Sequence, residues 1–150
     1  MQPPGSMWNG VYGFDAVDGE LALLPMAARR ALDIAGLHVS LEAWQRAPLA
    51  VRRALVALGA ATRVHAPEVA ALLHAANIVA RELPALLDPA AAAPPPELCA
   101  ALAPERRLEP VQWAELRALD RYVLAQLARR GKLARLVDAY DEIMADRQRD

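Results

Sequence analysis

Residues 116–144 read LRALDRYVLAQLARRGKLARLVDAYDEIM, and this stretch decides the fold class. Leu116, Leu119, Val123, Leu124 and Leu127 recur at steps of three and four, as one buried face of a helix requires. Gly131 is placed to end that helix. Leu133, Leu136, Val137, Tyr140, Ile143 and Met144 then start the same lattice again. The spacing predicts two consecutive amphipathic helices joined by a tight turn.

The rest of the chain agrees in composition. Of 150 residues, 34 are Ala and 23 are Leu, whereas Val, Ile and Thr together number 15. Helix formers are abundant and strand formers scarce, which argues against a sheet-based fold. The expectation is an all-α protein, a compact bundle of about seven or eight helices. A chain of this length buries about 70% of the surface its unfolded form exposes.

Upstream, residues 1–13 are rich in Pro and Gly with scattered aromatics (Trp8, Tyr12) and read as an extended N-terminal arm. Residues 14–150 read as one helical domain. Asp18-Gly19 predicts a turn. A helix is expected near 24–35, ended by Gly36, and Ser40 can cap a short one carrying Leu41 and Trp44. A third opens on Pro48 and stops at Gly59. A long helix should start at Pro67 and carry Val69, Leu72, Leu73, Ala76, Val79, Leu83 and Leu86 on one face, with Pro84 ending or kinking it. Residues 88–96, with three successive prolines, read as a linker. Helices follow near 97–103 and from Pro110.

The halves on either side of that linker, about 20–87 and 94–146, look alike. An offset of 69 superposes Pro25 on Pro94, Trp44 on Trp113, Arg52 on Arg121, Leu55 on Leu124 and Leu58 on Leu127. Two tandem copies of a helical unit, each with one tryptophan, are expected. In each copy an arginine follows the tryptophan by eight residues. A tryptophan there can pin a short helix to its neighbour, and the arginine can stack on it or cap a helix end. The structural reading of Trp44, Arg52, Trp113 and Arg121 stands beside a second, an aromatic anchor for a partner protein.

Several chemistries find no motif. One cysteine, Cys99, excludes an internal disulfide; beside Leu98 and Leu102 it reads as a small buried hydrophobe. The first residues lack the basic and apolar regions of a signal peptide. No apolar run approaches the ~20 residues that cross a bilayer. Net charge is −1, and each half is balanced, unlike a general nucleic-acid binder. His65 and His74 fall on opposite faces of a continuous helix, and His38 sits in a turn, so no metal and no cofactor site is expected. There is no Gly-rich phosphate loop and no G-x-S-x-G, and only Ser6 and Ser40 are serines. Asp138, Glu142 and Asp146 share one face of the last helix with Asp141 nearby, a row that reads as solvated surface. The expectation is a protein that is not an enzyme.

The N-terminal residues add a resemblance. Gly13-Phe14-Asp15, Leu21 to Met26 with its Leu-Pro-Met end, Arg29, Leu32-Asp33, Gly36-Leu37 and Trp44 resemble the nitrate reductase-associated protein family of bacteria and cyanobacteria. Gln112-Trp113, Arg121-Tyr122 and the Arg130-Gly131 step are similar to the family's C-terminal part. The similarity runs from about Phe14 to Glu142. Leu23 and Leu24 stand where a cysteine is usual in the family, so no role of that cysteine carries over. The alanine-rich linker also departs from the more polar middle of the family.

The resemblance implies a cytoplasmic accessory protein of nitrate assimilation that acts with a molybdenum-cofactor nitrate reductase. The candidate partner-binding residues are Phe14, Asp15, Pro25, Met26 and Arg29, with the aromatic arm beside them. Two alternatives remain open: a helical nucleic-acid-binding regulator, and a small divalent-metal enzyme using the acidic last helix. The sequence leaves the oligomeric state open.

Overall fold

A computed structural model describes residues 11–15 and 19–149. Trp8, most of the expected arm and Asp18 lie outside the described residues. Among those described, eight α-helices carry nearly all the regular structure, and the chain divides into two units between Leu87 and Asp88.

The first unit opens with a single 3-10 turn at Gly13–Asp15. Helix α1 (Met26–Ala35), strand β1 (Leu37–His38) and helices α2 (Leu41–Arg46), α3 (Leu49–Ala60) and α4 (Ala66–Ala75) follow, then strand β2 (Arg81–Glu82). Its centre is the α1–α3 crossing. Ala27, Ala28 and Ala31 of α1 are fully buried, and small side chains let two backbones come close. Gly59 completes the approach: a Cβ there would lie 1.6 Å from the Ala27 carbonyl oxygen. Helix α3 therefore does not stop at Gly59 but runs through it to Ala60. The glycine serves contact rather than termination.

Helix α4 is the main departure from expectation. The apolar lattice from Val69 to Leu86 predicts one long helix, yet α4 ends at Ala75. Asn77 is left-handed with φ 56°. Its N–H reaches the His74 carbonyl at 3.0 Å, and the Ile78 N–H reaches Leu73 at 2.9 Å. This pair of hydrogen bonds ends helices on glycine or asparagine. Beyond it the chain runs extended. β2 pairs antiparallel with β1, Leu37 opposite Glu82 and His38 opposite Arg81. Leu83 N–H then donates to Gly36 O and Leu86 N–H to Asp33 O, both at 2.9 Å. Gly36 carries φ 70°, and a Cβ on it would meet the Leu83 carbonyl at 2.8 Å. His38 thus belongs to a strand, not a turn.

The second unit holds α5 (Pro96–Leu102), α6 (Pro110–Glu115), α7 (Ala118–Arg129) and α8 (Leu133–Arg149). Leu98 and Leu102 of α5 and Leu119, Val123, Leu124 and Leu127 of α7 are buried, as are Leu136, Ala139 and Ile143 of α8. The α7–α8 turn repeats the α4 ending with glycine: Gly131 has φ 67°, and Lys132 N–H donates to Leu127 O at 3.0 Å. Cys99 is exposed, contrary to the expectation of a buried side chain. Leu98 and Leu102 are one turn apart and define the inner face; Cys99, one residue on from Leu98, is rotated about 100° away from it.

Candidate functional site

Each unit contains one tryptophan–arginine pin. In the first, Trp44 is 1% exposed, and its Nε1 donates to the Leu21 carbonyl at 2.7 Å. Ser40 Oγ accepts from Ala43 N–H at 3.0 Å and starts α2 in the register that aims the indole inward. Arg52, on α3, donates from Nε to Ala47 O at 3.1 Å and from Nη1 to Glu20 O at 2.5 Å and Leu21 O at 3.3 Å. The guanidinium thus closes the C-terminal end of α2 and ties the incoming chain to it. Leu21, fully buried, is left-handed with φ 55°. A branched-at-Cγ residue rarely adopts that conformation, and two donors on its carbonyl hold it there.

In the second unit Trp113 is 0% exposed, and its Nε1 donates to Ala90 O at 2.8 Å. Arg121 donates from Nη1 to Leu116 O at 2.5 Å, Ala114 O at 3.2 Å and Trp113 O at 3.4 Å. Helix α6 opens on a capping box in which Glu109 and Gln112 exchange backbone bonds. Helices α2 and α6, and α3 and α7, have equal lengths and share the offset of 69 residues. The acceptors keep it too, Leu21 with Ala90 and Ala47 with Leu116. All four side chains make structural contacts; each buried indole contributes about 3–5 kcal/mol against truncation to alanine.

The five candidate partner-binding residues gather at the start of α1. Asp15 is buried: Oδ1 accepts from Met26 N–H at 3.3 Å and Oδ2 from Tyr12 N–H at 3.4 Å. It caps α1, whose N-terminal partial positive charge favours a carboxylate. Pro25 and Met26 are buried beside it. Phe14 and Arg29 are half-exposed. Phe14 stacks at a tilt on Tyr12, ring centres 5.0 Å apart. Three of the five are therefore buried, and two are partly exposed.

Other charged groups also serve the frame. Arg30, which no apolar stripe explains, is 0% exposed. Its guanidinium donates to Gly59 O at 2.8 Å, Ala61 O at 2.5 Å and Thr62 O at 3.1 Å, closing α3 from α1. Each such charge-assisted bond contributes about 1.5–3 kcal/mol. The signal in the sequence is indirect: α3 lacks a glycine cap beyond its end, so an outside donor must supply one. Asp120, buried on α7, pairs with Arg117 at 2.9 Å. On α8 the acidic row is divided. Asp141 takes a two-pronged ion pair from Arg106, both contacts 3.0 Å, and the hydrogen bond from that guanidinium holds its carboxyl below the ordinary value. Asp138 is exposed; Glu142 and Asp146 are half-buried. Tyr140 Oη donates to Arg107 O at 2.7 Å, and Arg147 pairs with Glu115. Among the described residues, no three His, Cys, Asp or Glu side chains are grouped to hold a metal ion. His65 and His74 are exposed. No described helix is long and apolar enough to cross a membrane.

A family model described as conserved nitrate reductase-associated protein matches residues 12–142. No curated protein and no solved structure matches the chain.

Proposed function

The chain belongs to the conserved nitrate reductase-associated protein family, and from that membership we propose that it is a non-enzymatic accessory protein of nitrate reductase. Its role in this reading is to support assembly or activity of a cytoplasmic, molybdenum-cofactor nitrate reductase during nitrate assimilation. The observation that carries the reading is the family match, which spans both units. The side-chain chemistry supports it. The buried ionic groups Asp15, Arg30 and Asp120 are engaged in capping a helix, closing a helix and pairing with Arg117. In an enzyme, buried titratable groups converge on a common space; here they stand on separate helix ends.

Phe14 and Arg29 supply the contact to the reductase in this reading, held by Asp15, Pro25 and Met26 beneath them. A duplicated helical unit belongs to the same reading. The common offset of the two pins supports it.

Deletion of the gene tests the proposal. Nitrate reductase activity should fall while its transcript is unchanged, and growth on nitrate should slow while growth on ammonium does not. Normal reductase activity in the deletion strain would remove the reading.

A further inference from the structure

The segment after α4 is regular but scarcely packed. Between 74 and 97 the chain has no buried residue, so the core of the first unit closes without it. Residues 78–87 are held to the fold chiefly by main-chain bonds. Leu37 stands opposite Glu82 and His38 opposite Arg81, and the Leu83 and Leu86 N–H groups donate to Gly36 O and Asp33 O. Ile78, Ala80 and Leu86 are half-buried, while the larger apolar side chains between and after them turn outward. Val79 is 87% exposed, Leu83 44% and Leu87 88%. Few buried apolar contacts and exposed main-chain bonds mark an element that opens well below the global unfolding free energy.

The second unit keeps the matching frame without such a segment. The offset of 69 carries Leu37 and His38 onto Arg106 and Arg107, which lie in no strand. There α8 supplies the contacts: Asp141 pairs with Arg106, and Tyr140 Oη donates to Arg107 O. The arrangement of α2 and α3, matched by α6 and α7, therefore does not depend on a paired strand. What the first unit has in addition is a main-chain edge over residues 33–38 and an occupant for it. Such an edge pairs with an extended chain through backbone groups that all residues share. The present occupant shows the side-chain chemistry that suits it, apolar or small residues at alternate positions toward the fold, as Ile78 and Ala80 are.

We propose that residues 78–87 are a releasable strap: they fill an edge at 36–38 that pairs with an extended apolar segment of another protein once they lift. This goes beyond the accessory reading and does not rest on it.

Hydrogen exchange of the unchanged full-length chain is the first measurement. The Leu83 and Leu86 amides should exchange at least about 100-fold faster than those of Leu55 and Val56 in α3. Equal protection overturns the strap. The second measurement is fluorescence anisotropy with a labelled peptide of residues 78–87 as the probe. Leu37 and Glu82 form the non-hydrogen-bonded pair of the ladder, where side chains approach closely, so oxidation of L37C/E82C in a C99A background locks the strap down. The reduced form should bind the peptide at least about tenfold more tightly than the oxidised form. L83P, which removes the donor to Gly36 O, should bind it several-fold more tightly than the unchanged chain. Circular dichroism melts check the fold, and if L83P melts early the reduced and oxidised forms of one chain decide. Equal binding by those two forms, or no binding by any of the proteins, overturns the exchange at this edge. The accessory reading stands or falls separately, on the deletion strain.

Discussion

Replacing Gly59 with alanine sets two physical effects against each other. Helix propensity alone favours alanine over glycine by about 1 kcal/mol inside a helix. The α1–α3 crossing opposes it. The new Cβ would sit 1.6 Å from the Ala27 carbonyl oxygen and 2.5 Å from its carbon. Both are backbone atoms, so no rotamer change relieves the clash. Ordinary contact begins at 3.4 Å, so the helices must part by about 1.8 Å. Ala27, Ala28 and Ala31 would then lose close contact along the whole crossing. Overpacking of this kind costs about 1–3 kcal/mol, and a backbone-against-backbone case belongs at the upper end. The net expectation is destabilisation by about 2 kcal/mol, or about 4–8 °C in Tm for a chain of this size. Thermal and urea melts followed by circular dichroism measure it. Ala57→Gly, on an exposed position of the same helix, is the control and should cost about 1 kcal/mol. If Gly59→Ala melts at or above the unchanged protein, the crossing is not limited by backbone clearance and the account of the first unit fails.

Trp44→Phe should cost more than Trp113→Phe. Both lose an indole donor, but the buried Leu21 carbonyl keeps only the longer 3.3 Å bond from Arg52, whereas Ala90 is exposed and its carbonyl can turn to water; urea melts should separate them by about 1 kcal/mol. Asn77→Gly should leave Tm unchanged or slightly raised and Asn77→Ala should lower stability by about 1 kcal/mol, because only the left-handed position distinguishes them. Asp141 supplies a pH dependence. Its carboxyl is held by the Arg106 hydrogen bond below an ordinary value of 3.8, so the pair adds stability above that value and loses it as pH falls through the lowered one. Asp141→Asn should therefore make the acid limb of a Tm-against-pH curve shallower, and an unchanged limb would show that the pair is screened away.

The helices legible in the sequence were those whose apolar lattice coincides with a local stop. Helices α7 and α8 carry theirs up to and after Gly131, and Ser40 announces α2. Helix α4 misled because its apolar steps continue past Asn77. In a chain this rich in Ala and Leu, apolar residues fall on a helical lattice in extended segments too. The deciding residue was one asparagine, whose left-handed tolerance competes with the lattice. Gly59 reads as a stop because a close helix crossing leaves no local mark; it depends on Ala27, distant in sequence. Arg30 was opaque for the same reason, its three acceptors lying some thirty residues away. Of the candidate contact residues, composition could not separate the cap Asp15 from the half-exposed Phe14, since both lie in one tripeptide turn. Cys99 was misplaced because its neighbours, not its own polarity, define the inner face.

The two fastenings donate only to main-chain oxygens, and every amino acid carries one. Leucine in one half and alanine in the other receive the indole equally well; alanine and leucine likewise receive the guanidinium. Such a lock constrains two letters, W and an R eight places later, and leaves nearly all others free to drift. Chains built this way are free to lose percentage identity while keeping the joints. Distant members of such a group are better sought by that spacing between short helices than by counting shared residues.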